Sequence, residues 1–307
     1  MTCSLNQLYS VIGVSKQSVY QAKQRQLAFD RELSELIELA HKLKEKHPGC
    51  GVEKMYYTLK PTMMGRDRFC EIFLSLGFGV KPVKNYRRTT IPSGINHPNL
   101  IEGLYVYRPF QVIQSDITYF YLNGRHYYLV LIIDVFTRLI VGHAVNDHLR
   151  AEANVEALKK AFDRMDFPPW GLIHHSDHGS QYGAKAYLEL LKSKQVHVSM
   201  GDVAWENPYA ERINGIIKNE YLRYWEIKDY RALVTKTNNA VNHYNTKRKH
   251  RAFEMEFTPE EFNQNPVTSS PQGGYHLTIY AKDRPDAVEA PRRCEIHNLE
   301  TFQCLLK

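Results

Sequence analysis

Three consecutive stretches decide how the chain is built: Gln111-Val-Ile-Gln-Ser-Asp-Ile-Thr-Tyr-Phe-Tyr121, the link Leu122-Asn-Gly-Arg125, and His126-Tyr-Tyr-Leu-Val-Leu-Ile-Ile-Asp134. Both longer runs are rich in Val, Ile, Tyr and Phe, which suit a pleated surface, and Asn123-Gly124 supplies the positive φ angles of a two-residue hairpin turn. Arg138 to Val145 has the same composition, so three antiparallel strands are expected in succession. The period then changes. A helix is expected over 151–165, a strand over 172–175, a helix over 185–194 and a strand over 196–200. A further helix opens at Asn207-Pro208, with Asn207 as N-cap and Pro208 in the first turn. Another helix over 229–244, a basic run from Lys247 to Arg251, and one strand within 275–280 of a Pro/Ser/Gly-rich tail complete the pattern.

Upstream of the strands the period is helical. Residues 4–26 predict two short helices broken at Gly13-Val14-Ser15, with Ser15 capping the second, a pair that looks like part of a helix-turn-helix. A helix from Asp30 carries Leu33, Leu36, Ile37, Ala40 and Leu43 on one face and stops at Pro48-Gly49. Two shorter helices follow, striped by Val52, Met55, Tyr56 and Leu59 and by Phe69, Ile72, Phe73 and Leu76, with a turn at Pro61-Thr-Met-Met64. This is a helix-turn-helix candidate with Arg66 and Arg68 opening its last helix. Lys81, Lys84, Arg87 and Arg88 run into a Thr/Pro/Ser/Gly linker.

Charge follows the same division. Residues 1–90 hold 15 Lys and Arg against 8 Asp and Glu, and residues 91–307 hold 25 against 25, so the whole net +7 lies in the first third. A basic segment on a balanced remainder suits a polyanion-binding module joined to a second function. The expected organisation is a short helical segment over 1–28, a basic DNA-binding region over 29–90, a linker over 91–106, a core over 107–264 and a tail over 265–307. With 43% hydrophobic and 24% charged residues among 307, the chain suits a folded globular protein. The longest uncharged apolar stretch, Tyr127 to Ile133, is far below the roughly 20 residues of a membrane span. With no secretory leader pattern, a cytoplasmic, nucleoid-associated location is expected. Five scattered cysteines without a C-x-x-C pair argue against a disulfide framework or zinc ribbon.

Three acids stand out by position. Asp116 interrupts an apolar strand, where a charge without a partner is costly. Asp177, in His174-His-Ser-Asp-His-Gly-Ser-Gln181, follows a short strand at the edge where α/β sheets place their sites. Glu211 lies on the helix opened by Asn207, and Lys218 follows two turns along the same face. Three meandering strands and then alternating helix and strand is the order of a ribonuclease-H-like domain, which sets the fourth strand beside the first and lets the two aspartates converge. Converging carboxylates hold protons unless a cation neutralises them, and hard oxygen donors select Mg²⁺ or Mn²⁺, two ions together serving phosphodiester chemistry. Each acid also has a plainer role: an Asp at a strand end caps, and exposed helical acids such as Glu206 and Glu220 are solvated. Asp134 suits a turn better than a ligand site. His174, His175 and His178 suit phosphate contact or structural roles better than transition-metal ligation.

Four ordered motifs, Ser115-Asp-Ile-Thr-Tyr119, Tyr128-Leu-Val-Leu-Ile-Ile-Asp-Val-Phe-Thr-Arg138, His175-Ser-Asp-His-Gly-Ser-Gln-Tyr182 and Asn207-Pro-Tyr-Ala-Glu211 with Lys218-Asn-Glu-Tyr221, resemble the retroviral-integrase-like DDE transposases of bacterial insertion sequences. Within these the chain is similar to the insertion-sequence-three family, whose integrase core is encoded in a second reading frame. Sixty residues separate the aspartates and 33 separate Asp177 from Glu211. The resemblance covers about residues 30 to 264. It implies a ribonuclease-H-like core and Mg²⁺-dependent cleavage at element ends, with joining of the 3′-hydroxyl to target DNA. Asp116, Asp177 and Glu211 would be the metal ligands and Lys218 a contact to the DNA end. Arg212, Arg66, Arg68, Lys84, Arg87, Arg88, Lys247, Arg248, Lys249 and Arg251 are the further DNA-binding candidates. Implied partners are the terminal inverted repeats, target DNA, further copies of the chain in a synaptic complex, and an upstream-frame helix-turn-helix and zipper protein or fusion. A non-catalytic DNA-binding regulator or decayed transposase, and a ribonuclease-H-like nuclease without joining activity, are the competing readings.

Overall fold

The computed structural model describes residues 9, 11–80, 97–165, 171–201, 206–265 and 277–279. Lys81, Lys84, Arg87 and Arg88, the linker through residue 94, and the first helix expected within 4–12, apart from Tyr9, Val11 and Ile12, fall outside or at the edge of them. The chain divides into two compact units that are not contiguous in sequence: Met1–Arg87 with Gly215–Glu261, and Arg88–Asn214 with Phe262–Lys307.

The second unit holds a five-stranded sheet. Strands β2 (Val112–Leu122), β3 (Arg125–Asp134) and β4 (Ile140–Asn146) are antiparallel neighbours, and β5 (Ile173–Asp177) and β6 (His197–Gly201) run parallel to β2, giving the order β4-β3-β2-β5-β6. The hairpin forms where expected. Leu122 faces Arg125, and Asn123 and Gly124 take φ of 49° and 81°, the left-handed values that this turn requires. Helices α4 (Ala151–Asp163) and α5 (Lys185–Ser193) complete the alternation. One core cluster joins Ile113, Val130 and Ile132 of the sheet to Ala157, Leu158 and Ala161 of α4 and Tyr187 and Leu191 of α5. Each such large apolar side chain contributes on the order of 1.5–3 kcal/mol when fully buried. This is the ribonuclease-H-like α/β fold anticipated from the strand and helix order.

A separate two-stranded sheet pairs β1 (Leu104–Val106) with β7 (Leu277–Ile279), antiparallel. The strand expected within 275–280 is β7; β1 lies inside the stretch read as linker, because three residues are too few to show a period.

The first unit is helical. α1 (Lys16–Lys46) is one continuous 31-residue helix, where a break between residues 26 and 30 was expected. Nothing between Gln24 and Asp30 is a helix breaker, and the Asp30 carboxylate accepts from Gln26 Nε2 at 2.7 Å instead of starting a new helix. Ser15 caps it, its side chain accepting from Ser18 N at 3.0 Å. α2 (Val52–Leu59) and α3 (Arg66–Ser75) pack on α1 through Leu36, Ala40, Met55, Phe69 and Phe73, with the Phe69 and Phe73 rings stacked 4.1 Å apart. Leu76, expected in that stripe, lies beyond the end of α3 and is exposed. Helix α6 (Pro208–Ile216) belongs to the second unit as far as Asn214 and runs into a π-helical segment of the first, Ile217–Leu222, which is followed there by α7 (Tyr230–Thr246); α8 (Pro259–Gln264) crosses the boundary after Glu261.

Candidate active site

The sheet register places the first two acids. The parallel pairing of β2 and β5 ends at Gln114 opposite His175, and Asp116 and Asp177 each stand two residues further on, on the same face of adjacent strands. Glu211 projects from the first turn of α6 and is exposed. The three carboxylates act on one another. Burial, then the charge of Asp177 and to a lesser degree that of Glu211, pushes the Asp116 carboxyl up to about 7, against hydrogen bonds from Asn214 and the Ile117 backbone. Glu211 is likewise raised, by burial first and then by Asp177. Asp116 Oδ1 accepts from Ile117 N at 2.8 Å, Asp116 Oδ2 accepts from Asn214 Nδ2 at 2.9 Å, and Asp177 Oδ1 accepts from Gly179 N at 3.0 Å. Among the described residues no three His, Cys, Asp or Glu side chains are already drawn into a closed metal-holding group. What the site offers is a set of hard oxygen donors whose mutual repulsion a divalent cation would relieve.

Behind the acids is a neutral, buried network. His174 Nε2 pairs with Tyr187 OH at 2.7 Å, Ser115 Oγ with Tyr182 OH at 2.9 Å, and His175 Nδ1 with Ser199 Oγ at 2.9 Å. Burial lowers His174 to about 3 and His175 to about 4, and both side chains are fully enclosed, which fits the structural role weighed for them in the sequence. Asp134 is a turn residue. Its carboxylate is fully buried and accepts from Phe110 N at 3.0 Å, Thr137 N at 2.9 Å and Thr137 Oγ1 at 2.6 Å.

The basic candidates fall into different settings. Arg212 is exposed on α6, and Lys218 is half-buried at the start of the π-helical segment, so the two-turn spacing from Glu211 crosses a change of helical pitch. Lys247 is exposed; Lys249 pairs with Glu261 at 2.8 Å, and Arg251 with Glu53. Arg66 pairs with Asp67 at 2.8 Å, and Arg68 lies 4.7 Å over the Phe29 ring. Arg248 departs from expectation: it is 6% exposed and holds Glu220 with two hydrogen bonds of 2.9 Å, leaving it no surface to offer DNA. Glu220 departs in the same way, since it is enclosed rather than solvated, with His47 Nε2 at 2.7 Å and Lys54 Nζ at 2.8 Å.

Two descriptions of an integrase core domain match the chain, over residues 106–204 and 193–259. A transposase for insertion sequence element IS629 of Shigella sonnei is 30% identical over 66% of the chain and 70% of its own length. The chain belongs to the insertion-sequence transposases of the integrase superfamily. An uncharacterised 31 kDa protein of insertion element IS600, also from Shigella sonnei, is 29% identical to this transposase over 78% of the chain and 92% of its own length. The magnesium-bound catalytic core of HTLV-2 integrase, dimeric form, superposes with a TM-score of 0.42 at 20% identity, over 53% of the transposase chain and 99% of that chain. No helix among the described residues of the transposase is long and apolar enough to cross a membrane.

Sequence reasoning passed over Asn214, Gln114 and Arg138. Asn214 was within reach, because it stands three residues after Glu211 on an amphipathic helix and so shares its face. Gln114 and Arg138 carry no such signal, since their partners come from distant elements.

Proposed function

We propose that the protein is a DDE transposase that cleaves DNA at the ends of its insertion sequence and joins the freed 3′-hydroxyl to target DNA. The observation that carries this reading is the convergence of Asp116 and Asp177 from neighbouring strands with Glu211 from α6, where burial first and then the charges of Asp177 and Glu211 raise the Asp116 carboxyl to about 7. Two carboxylates in register on neighbouring strands and a third from a helix have no structural use that requires such repulsion. They suit cation binding.

Asp116, Asp177 and Glu211 would hold the ions, Mg²⁺ or Mn²⁺ and two in number. When bound, such ions lower the pKa of an attacking hydroxyl and stabilise the leaving oxygen. In joining, a bond forms between the element's 3′-oxygen and a target phosphorus as the bond from that phosphorus to the target strand's own 3′-oxygen breaks. The attacking hydroxyl gives up its proton and the departing oxygen takes one. Asn214 holds Asp116 by its Oδ2, so that one carboxylate oxygen is fixed in direction. Lys218 and Arg212 supply positive charge for the DNA end. Arg66, Arg68, Lys84, Arg87, Arg88, Lys247, Lys249 and Arg251 neutralise backbone phosphates, with residues 29–90 as the main DNA-binding region and 107–264 as the catalytic core. The working form is several copies of the chain on paired ends.

The test is a strand-transfer assay with a pre-cut end and a plasmid target. Asp116→Asn is expected to reduce joining at least a hundredfold while leaving end binding unchanged; joining at the wild-type rate contradicts the reading. Mg²⁺-dependent nicking without joining in the wild type would favour a plain nuclease.

A further inference from the structure

We propose that Gln114 and Asn207 are positioning residues for the acidic site, tying the start of the Glu211 helix to the strand that carries Asp116; this rests on the reading of that site given above. The first turn of any helix has N–H groups without intrahelical partners, and a residue in the place of Asn207 ordinarily satisfies one with its own side-chain oxygen. Here it does not. Asn207 Nδ2 donates instead to the Ser115 carbonyl at 2.8 Å, and its Oδ1 has no partner among the described residues. The Tyr209 N–H is taken up by Gln114 Oε1 at 3.1 Å, so the cap of α6 is supplied by β2. Gln114 and Ser115 are fully buried and Asn207 is 3% exposed.

With Asn214 bonded to Asp116 at 2.9 Å, three consecutive residues of β2 hold three positions of the helix region. Residue 114 holds 209, 115 holds 207, and 116 holds 214. A slip of one residue along α6 would move it about 1.5 Å and turn Glu211 by about 100°. All three bonds would break together. A fourth contact comes from the turn between β3 and β4. The Arg138 guanidinium stacks 4.2 Å over the Tyr209 ring, and Arg138 is held at φ 61° with its N–H on the Asp134 carbonyl at 2.9 Å. Gln114 Nε2 has no partner among the described residues, which leaves the acceptor oxygen as the part of this buried amide that the fold uses.

The test uses the full chain and two variants. Gln114→Met keeps the length of the side chain and removes the acceptor. Asn207→Ser keeps a residue suited to a helix start and is too short to reach the Ser115 carbonyl. Mn²⁺ affinity is measured by calorimetry without DNA, and amide exchange is followed by mass spectrometry. Each variant is expected to weaken Mn²⁺ binding about tenfold, as outer residues that orient ligands do. Exchange at the start of α6 should speed up while β3 and β4 keep their protection, and combining the variants should give less than the product of the two effects because both act on one helix. Wild-type Mn²⁺ affinity in a folded variant overturns the proposal, and if Gln114→Met fails to fold, Asn207→Ser alone decides. Asp116→Asn separates the levels. If it binds Mn²⁺ as the wild type does, the reading of the acidic site falls and this proposal with it. If it loses binding while the two variants keep theirs, only the positioning role falls.

Discussion

Asp116 is held in a state that opposes folding. Its carboxyl rises from 3.8 to about 7, with burial the leading cause and Asp177 the next. A carboxylate whose folded pKa is raised destabilises the folded state increasingly as pH climbs from the unfolded value through the folded one. The full penalty is therefore present above about pH 7 and absent below about pH 4. Asp116→Asn should stabilise the cation-free protein at pH 8 by roughly 1–3 kcal/mol, seen as a higher urea midpoint, and the wild type should recover the difference when Mg²⁺ is added. Asn214 works in the opposite sense, lowering the Asp116 pKa through its hydrogen bond. Asn214→Ala should move the pH at which Mn²⁺ binding is half-developed upward, which titration calorimetry across pH 5.5–8.5 would show. Asp116 is legible in the sequence because a charge in an apolar strand stands out. Gln114 is not, because an uncharged amide on a strand looks the same whether it meets water or another element, and Asn214 is marked only by its spacing from Glu211.

Among the elements, the π-helical segment Ile217–Leu222 organises the helical unit through Glu220. Burial alone would raise that carboxyl, but hydrogen bonds from His47 and Arg248 and the charges of Arg248 and Lys54 hold it well below the usual range. His47 also stacks on Tyr221 with ring centres 4.6 Å apart, and Gly49 N donates to the Glu220 carbonyl at 2.8 Å. Glu220→Gln leaves Arg248 and Lys54 without their counter-charge and should cost about 3–5 kcal/mol, measured by urea unfolding at pH 7. With the sign of a depressed carboxylate, the stability that Glu220 contributes is present above pH 4.5, its unfolded value, and is lost as pH falls below it. Gly49→Ala tests the same junction by shape, because an added Cβ would lie 2.4 Å from the Glu220 Cα, backbone that cannot swing aside. It should destabilise by more than 1 kcal/mol. The sequence revealed these helices through their apolar stripes but not the junction, which joins residues more than 160 positions apart and depends on a charged side chain being buried. It also suggested a break in α1 that the chain has no residue to make.

At the scale of the whole molecule, the first third of the sequence is basic and the acidic site lies in a balanced remainder, which suits the proposed division between holding DNA and acting on it. The strand and helix order was legible because hydrophobic period changes sharply after residue 105, whereas the two compact units were not, since each gathers segments from both sides of the other. DNA affinity should fall steeply with salt, and Arg66→Ala together with Arg68→Ala should reduce the slope of log affinity against log salt by about 2. Arg248→Ala should leave that slope unchanged in the fraction that stays folded, because Arg248 faces Glu220 and not solvent. The most direct measurement is anomalous diffraction from crystals soaked in Mn²⁺. The account predicts a peak bounded by the carboxylates of Asp116 and Asp177, with Glu211 in coordinating reach and the peak lost in Asp116→Asn. An empty site at saturating Mn²⁺, or a peak that persists in Asp116→Asn, would contradict it.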